Sequence, residues 1–230
     1  MGQIIILPET TKHPITLIGQ RAGVCWGADT TDLAKNYQRG LDCIESGHGR
    51  TLEFVNVEMV LDGYSARVMR EWYTHIGGAP TRLQASTRYI DYGEFEYVVP
   101  PSIEGKTAAK LWYIEAMDAI QNSIKRLEDK GIPREDAAML LPLGMTTHVV
   151  DKRNLRNIID MSRNRMCQRA FWEFRDLFSD LCSALVLYGH ENGSNEWETI
   201  VTTQMWPKCE ATQTCPEKRG CGRYPKEDRE

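Results

Sequence analysis

Two clusters in this chain have the residue types and spacing to hold an anionic group. The first packs Thr81, Arg82, Gln84, Ser86, Thr87 and Arg88 just after Gly77, Gly78 and Pro80. A glycine turn leaves backbone N–H groups open, and hydroxyls and guanidinium forks add donors, so the stretch can cradle an anion. The same composition also describes a solvated, charged surface loop, and a glycine turn alone does not choose between the two. The second cluster runs from Asn154 to Arg175, where Arg156, Arg163, Arg165 and Arg169 crowd cations onto a short length. Arginine stays charged and presents a planar donor fork, which suits negative charge on a bound or reacting group. A salt-bridged surface helix is the other reading of this run, and it fits Arg163 and Arg175 best.

Around these clusters the chain reads as alternating strands and helices. Residues 4–7 and 15–18 read as short strands, and 20–29 as a loop. Thr30 or Thr31 can cap a helix to about Ser46, with Leu33, Tyr37, Leu41 and Ile44 on one face and Gly47 ending it. Residues 53–61 alternate, Val55, Val57, Met59 and Leu61 against Phe54, Asn56 and Glu58, which is the pattern of a half-buried strand. Tyr64, Val68 and Trp72 recur at four-residue spacing in a helix-like run over 64–75, which Gly77, Gly78 and Pro80 stop. Residues 95–99 read as a strand. A long helix is predicted over 107–130, with Tyr113, Met117, Ile120, Ile124 and Leu127 on one face and Gly131 at its end. A second helix starts at Pro133, a suitable first-turn residue. Residues 146–150 read as a strand with Asp151 as a helix cap. Leu155, Ile158, Ile159 and Ser162 then form the inner face of a helix.

Composition narrows the function classes. Hydrophobic content of 41% and charged content of 26% fit a globular protein, and a net charge of −4 argues against a general nucleic-acid binder. No apolar run approaches the roughly 18 residues of a membrane span. The first residues lack the basic region of a signal peptide, so a cytoplasmic protein with reduced thiols is expected. The seven cysteines are Cys25, Cys43, Cys167, Cys182, Cys209, Cys215 and Cys221. The last three are evenly spaced. With a fourth ligand such as His190 they can bind zinc, but no CxxC spacing is present, and a tail without metal is expected. Residues 216–230 are mostly charged and are expected to fray. The expected division is one folded domain over 1–206 and a Cys-rich, charged tail over 207–230.

Ser86-Thr87-Arg88-Tyr89, preceded by a helix ending at His75, resembles the signature of the flavin-dependent thymidylate synthases. That family carries Arg-His-Arg, seven spacer residues, then Ser; here the triplet is Thr74-His75-Ile76 and nine residues precede Ser86. Glu53-Phe54 stands where a Glu-His pair is usual. The stretch from Gly131-Ile132-Pro133-Arg134-Glu135 to Leu140-Leu141-Pro142-Leu143 is similar to a core segment of the family, with Ala138 where an Arg is usual. From Gly131 onward Asn154, Arg156, Arg165, Ala170, Trp172 and Glu173 fall in register with an Asn-x-Arg, a helical span, an Arg, and an Ala-x-Trp-Glu. The resemblance covers residues 15 to about 187.

It implies an α+β fold with an antiparallel or mixed sheet and long helices. It also implies reductive methylation of dUMP to dTMP, with FAD as cofactor and NADPH and methylenetetrahydrofolate as co-substrates, in a homo-oligomer, a tetramer. Arg165 is then the catalytic residue. Glu71, Ser86, Thr87, Arg88 and Arg165 bind substrate, and Thr74, His75, Ile76, Gln84, Asn154 and Arg156 surround the flavin. Arg169 has no assigned role, and Cys167 is read as a packing residue on the helix. Two alternatives stay open. One is the same fold acting on another pyrimidine nucleotide, or forming a hydroxymethyl product; the other is a catalytically silent nucleotide-binding protein.

Overall fold

Strand β1 (Gln3–Ile6) opens the chain in a computed structural model that describes residues 2–226. Helix α1 (Pro14–Cys25) follows, so residues 15–18 are helical rather than the expected strand, and the expected loop begins only after Cys25. Pro14 presets the first turn, and Pro14, Ile15, Ile18, Gly19, Ala22 and Gly23 share the buried face. A four-residue window around Ile15 is too short to reveal that period. The N–H and hydroxyl of Thr16 donate to the Glu196 carboxylate at 2.9 and 2.6 Å, so the orphan donors at this helix start are met by a distant acid.

Helix α2 (Leu33–Glu45) is capped by Asp32, not by Thr30 or Thr31; the Asp32 carboxylate accepts from the Lys35 N–H at 3.1 Å. Asn36, Gly40 and Cys43 form its buried face, whereas Leu33 is 67% exposed. The reason is close backbone approach. A Cβ on Gly19 would sit 1.8 Å from the Asn36 carbonyl oxygen, and one on Gly40 2.0 Å from that of Ile15. The small residues therefore set the rotation of α2, not its larger apolar ones.

A 3₁₀ segment (Gly49–Phe54) leads into β2 (Asn56–Ser65), where Val57, Met59 and Leu61 are buried as the alternation predicts. Helix α3 (Ala66–Trp72) is shorter than the expected 64–75: Ser65 caps it by accepting from the Val68 N–H at 3.2 Å, and Tyr64 still belongs to the strand. β3 (Thr81–Gln84) turns the first half of the expected loop into a strand. Residues 95–99 are not a strand; Tyr97 makes only an isolated antiparallel bridge to Met145. Then come α4 (Pro101–Glu104), the long α5 (Thr107–Asp129), and α6 (Arg134–Ala137), with Pro133 as its cap rather than its first residue. β4 (Thr146–Asn154) includes Asp151, so the cap of α7 (Leu155–Arg165) is Asn154, whose side chain accepts from the Asn157 N–H at 2.9 Å. α8 (Trp172–Glu191) follows a break at residues 166–171, so the arginine run over 156–175 is not one continuous helix. α9 (Glu196–Gln204) and α10 (Lys208–Thr212) complete the described chain. The fold is α+β, with one four-stranded sheet in the order β1-β2-β4-β3. After β1 the Leu7 N–H reaches the Glu58 carbonyl and the Thr11 N–H that of Asn56, so this segment runs antiparallel to β2.

The chain forms two compact units: Met1–Gln3, Leu61–Thr74 and Leu83–Val150 make one, and Ile4–Val60, His75–Arg82 and Asp151–Glu230 the other. In the first, Tyr92, Phe95, Met117, Ile124, Ala137 and Met145 form a core, with Tyr113, Ile120 and Leu127 packed against it, which is the predicted face of α5. In the second, the predicted inner face of α7 is buried, and α8 adds Phe174, Leu177, Phe178, Leu181 and Leu185. Here Asp151 and Arg153 also form a fully buried pair. Nε and Nη2 of Arg153 donate to the two carboxylate oxygens at 2.6 and 2.7 Å, and Nη1 donates to Asn157 Oδ1 at 2.6 Å. Paired and hydrogen-bonded in this way, the charges meet the conditions for burial. The tail is anchored at Cys209 and Cys215, which are buried, and the Cys215 N–H donates to the Pro225 carbonyl at 2.7 Å; between these points residues 217–223 are exposed, as a charged stretch is expected to be. The expectation for residues 227–230 lies outside the described residues.

Candidate active site

Arg165 ends α7, where a cation is favoured by the helix dipole. Its Nε donates to His75 Nε2 at 3.0 Å, and its guanidinium carbon lies 4.8 Å from the centre of the Phe174 ring. Phe174 meets His75 edge-on and stacks against Phe178 from the next turn of α8. Burial, and then the charges of Arg165 and Arg153, bring the His75 imidazole down to about 4. At neutral pH the ring is therefore uncharged. Because Nε2 accepts, the ring proton is on Nδ1. The contact fixes the guanidinium in place without cancelling its charge.

The opposite end of α7 builds a second concavity of about 270 Å³, lined by Glu53, Gly77, Gly78, Asn154, Arg156, Asn157 and Asp160. Arg156 Nη1 donates to Glu53 Oε1 at 2.6 Å. Gly78 has φ +73, and a Cβ there would lie 2.1 Å from Asn154 Nδ2; one on Gly77 would lie 3.1 Å from Asn157 Nδ2. The two glycines thus let the backbone approach two side-chain amides, a cradle that larger residues would fill. Amides, a guanidinium and glycine N–H groups suit an anionic or amide-bearing part of a ligand. The volume is just below the roughly 300–1,000 Å³ of whole-ligand sites.

The other predicted residues lie in the first unit, except Ile76, which is in the second and 69% exposed. On β3, Gln84 Nε2 donates to Thr147 Oγ1 at 3.3 Å. Beyond it the Arg88 N–H donates to Ser86 Oγ at 3.2 Å, a local turn that orders the expected cradle. Arg88 Nε lies 3.1 Å from Glu135 Oε2, and its guanidinium sits over Tyr89. That carboxylate offsets part of the positive charge the cradle would offer an anion. Thr87 is exposed. Thr74 donates its hydroxyl to the carbonyl of Glu71 at 2.7 Å, and Glu71 itself is half-buried.

Residues 7–186 match the family model described as Thy1, Thymidylate synthase complementing protein. The chain belongs to that family. Among curated relatives, the flavin-dependent thymidylate synthase of Nitratidesulfovibrio vulgaris is 29% identical over 197 residues, 79% of this chain and 74% of the relative. That of Clostridium tetani is 26% identical over 206 residues, 80% and 82% of the two chains. Two crystal structures of Thymidylate Synthase X from Helicobacter pylori with FAD and dUMP share the fold at TM-scores of 0.63 and 0.64. Both are 19% identical and cover 84% of this chain, and 97% and 99% of their own.

Within the family segment, the second unit brings together His75 with Arg165, and Asn154 with Arg156. Several neighbours were not legible beforehand. Phe174 follows the Trp172-Glu173 pair and reads as an ordinary core residue until Arg165 is seen over its face. The Asp151–Arg153 pair has a signal in the sequence, since Thr147, Val149, Asp151 and Arg153 share one face of β4, although Asp151 by residue type also suits a helix cap. Arg163 and Arg175, which a salt-bridged surface helix would fit, make other contacts among the described residues. Arg163 lies over the Trp206 ring at 5.6 Å, and Arg175 donates to the carbonyls of Gln168 and Ala170. Cys167 lies in the turn between α7 and α8 rather than on a helix. Among the described residues no cluster of His, Cys, Asp and Glu is placed to hold a metal ion.

Proposed function

We propose that this chain is a flavin-dependent thymidylate synthase that methylates dUMP to dTMP, with FAD as cofactor and methylenetetrahydrofolate and NADPH as co-substrates. Family membership over residues 7–186 supports the reaction class. The single geometric observation that carries it is Arg165, held by the neutral His75 and the face of Phe174. In this reading the guanidinium stabilises negative charge on the uracil ring as its C5 attacks, where a preorganised donor is worth about 10²–10³ in rate. Ser86, Thr87 and Arg88 hold the phosphate, and Glu71 faces the base. The concavity at Gly77 and Gly78, with Asn154 and Arg156, fits the polar part of FAD, and the family resemblance assigns Thr74, His75, Ile76 and Gln84 to the same cofactor. Bound there, FAD supplies the hydride. Its size suits only part of so large a cofactor, which supports a site completed in a homotetramer. The reading also assigns residues 1–206 to catalysis and 207–230 to a separate tail. Seven free thiols support a reducing, cytoplasmic setting.

The test is the visible spectrum of the purified protein before and after adding FAD, followed by tritium release from C5-labelled dUMP. Arg165→Ala is expected to lower turnover at least about 10²-fold while flavin absorbance is retained. Loss of flavin with turnover intact contradicts the assignment. Light scattering should give four times the 26.3 kDa chain mass. One observation favours a second reading: Glu71 stands where a Gln near the base is frequent, and a carboxylate there alters which base edge is accepted. Faster release from labelled dCMP or UMP than from dUMP selects that reading.

A further inference from the structure

A cavity of about 240 Å³ lies on the second unit, away from the glycine cradle. One wall is the end of α7 and the turn after it, with Arg163, Arg165 and Arg169. The other is the tail, with Lys208, Cys209 and Cys215. The tail wall lies beyond residue 186, outside the segment that the family model matches. Four of its lining residues are cationic and one, Glu217, is anionic, in a chain whose net charge is −4. Such a local concentration of cations against the overall charge runs opposite to what self-repulsion favours, and calls for a ligand of opposite sign.

The three arginines are held in place. Arg169 donates to the Arg219 carbonyl, Arg163 lies over Trp206, and Arg165 is fixed by His75 and Phe174. Groups ordered in advance lose little side-chain entropy when a ligand arrives. Cys209 and Cys215 are buried, and burial pushes the Cys209 thiol up, so it enters the wall as a neutral group and does not neutralise the arginines. Guanidinium forks with an ammonium match a tetrahedral or planar oxyanion.

We infer that this cavity is an anion-binding site for a phosphate or carboxylate group, built jointly by the α7–α8 turn and the C-terminal tail. An anion there touches the outer side of the same guanidinium that the proposed reaction uses, so occupancy couples the tail to Arg165. The inference stands apart from the proposed reaction, because its test reads binding alone.

The experiment is calorimetric titration of the full-length protein at low ionic strength with inorganic phosphate and, separately, with succinate. Saturable binding of either is expected, and whichever binds more tightly identifies the source chemistry. Lys208→Glu and Arg169→Glu should each weaken binding about tenfold, the loss of one charge-assisted contact. Glu217→Gln should tighten it. Lys130→Glu makes the same charge change at an exposed position in the first unit and should leave it unchanged. Circular dichroism checks that the variants fold; if Lys208→Glu does not, Arg169→Glu and Glu217→Gln carry the test. No saturable binding, or an equal loss in Lys130→Glu, overturns the site. So does binding that survives Lys208→Glu and Arg169→Glu but disappears in Arg165→Ala, since the anion then occupies the substrate side of Arg165.

Discussion

His75 is the residue on which the electrostatics of Arg165 turn, and its protonation has a sign that can be worked out. An unfolded imidazole titrates near 6.5, and the folded one at about 4. Between those values the unfolded chain binds more protons, so stability is full above 6.5 and falls as pH drops toward 4. The cause is burial first, then two guanidinium charges that oppose a third cation. In His75→Gln the fall in urea midpoint over that window should be smaller than in the wild type, and the two curves should run parallel below pH 4. Identical profiles would mean that another group titrates. The same protonation removes the acceptor for Arg165 Nε, so turnover should fall with stability on the acid side. The triplet in the sequence points to His75; its tautomer and its charge state depend on its neighbours in the fold.

At the scale of elements, the pairing of α1 with α2 rests on two glycines. Each would place a Cβ within 2.0 Å of a carbonyl oxygen on the other helix, so backbone rather than a flexible side chain would have to move. Gly40→Ala is expected to cost about 1–3 kcal/mol, the usual range for overpacking, measured by urea denaturation. A neutral result would mean that the helices separate freely. The same contact explains why α2 does not turn Leu33 inward: apolar periodicity weighs residue size, whereas this interface selects its absence. Caps moved for a related reason. Asp32, Ser65 and Asn154 each accept from an N–H three residues on, while Thr30, Thr31 and Asp151, equally good by type, have other surroundings. Asp151 in particular sits on the inward face of β4, where its carboxylate is matched by Arg153 two residues later.

For the whole molecule, the division into units does not follow chain order. The first unit draws on Leu61–Thr74 as well as Leu83–Val150, and Ala66 packs on its core cluster. A fragment of residues 83–150 lacks Tyr64, Val68 and Trp72, all buried here. It should therefore show helical far-UV but no near-UV circular dichroism; a fixed near-UV signal would show that the core forms without them. Much about this protein was written locally. The face of α5, the alternation of β2, the inner face of α7 and the register of Asn154, Arg156 and Arg165 depend on spacing along one element, and spacing survives in a string of letters. What only the folded chain decided depends on partners far apart in sequence. These are the helical state of residues 15–18, the rotation of α2, the buried Asp151–Arg153 pair, the neutral ring under Arg165, and a tail that closes a basic cavity. Their energies come from close approach and from charges felt through a desolvated interior, and neither has a period to read.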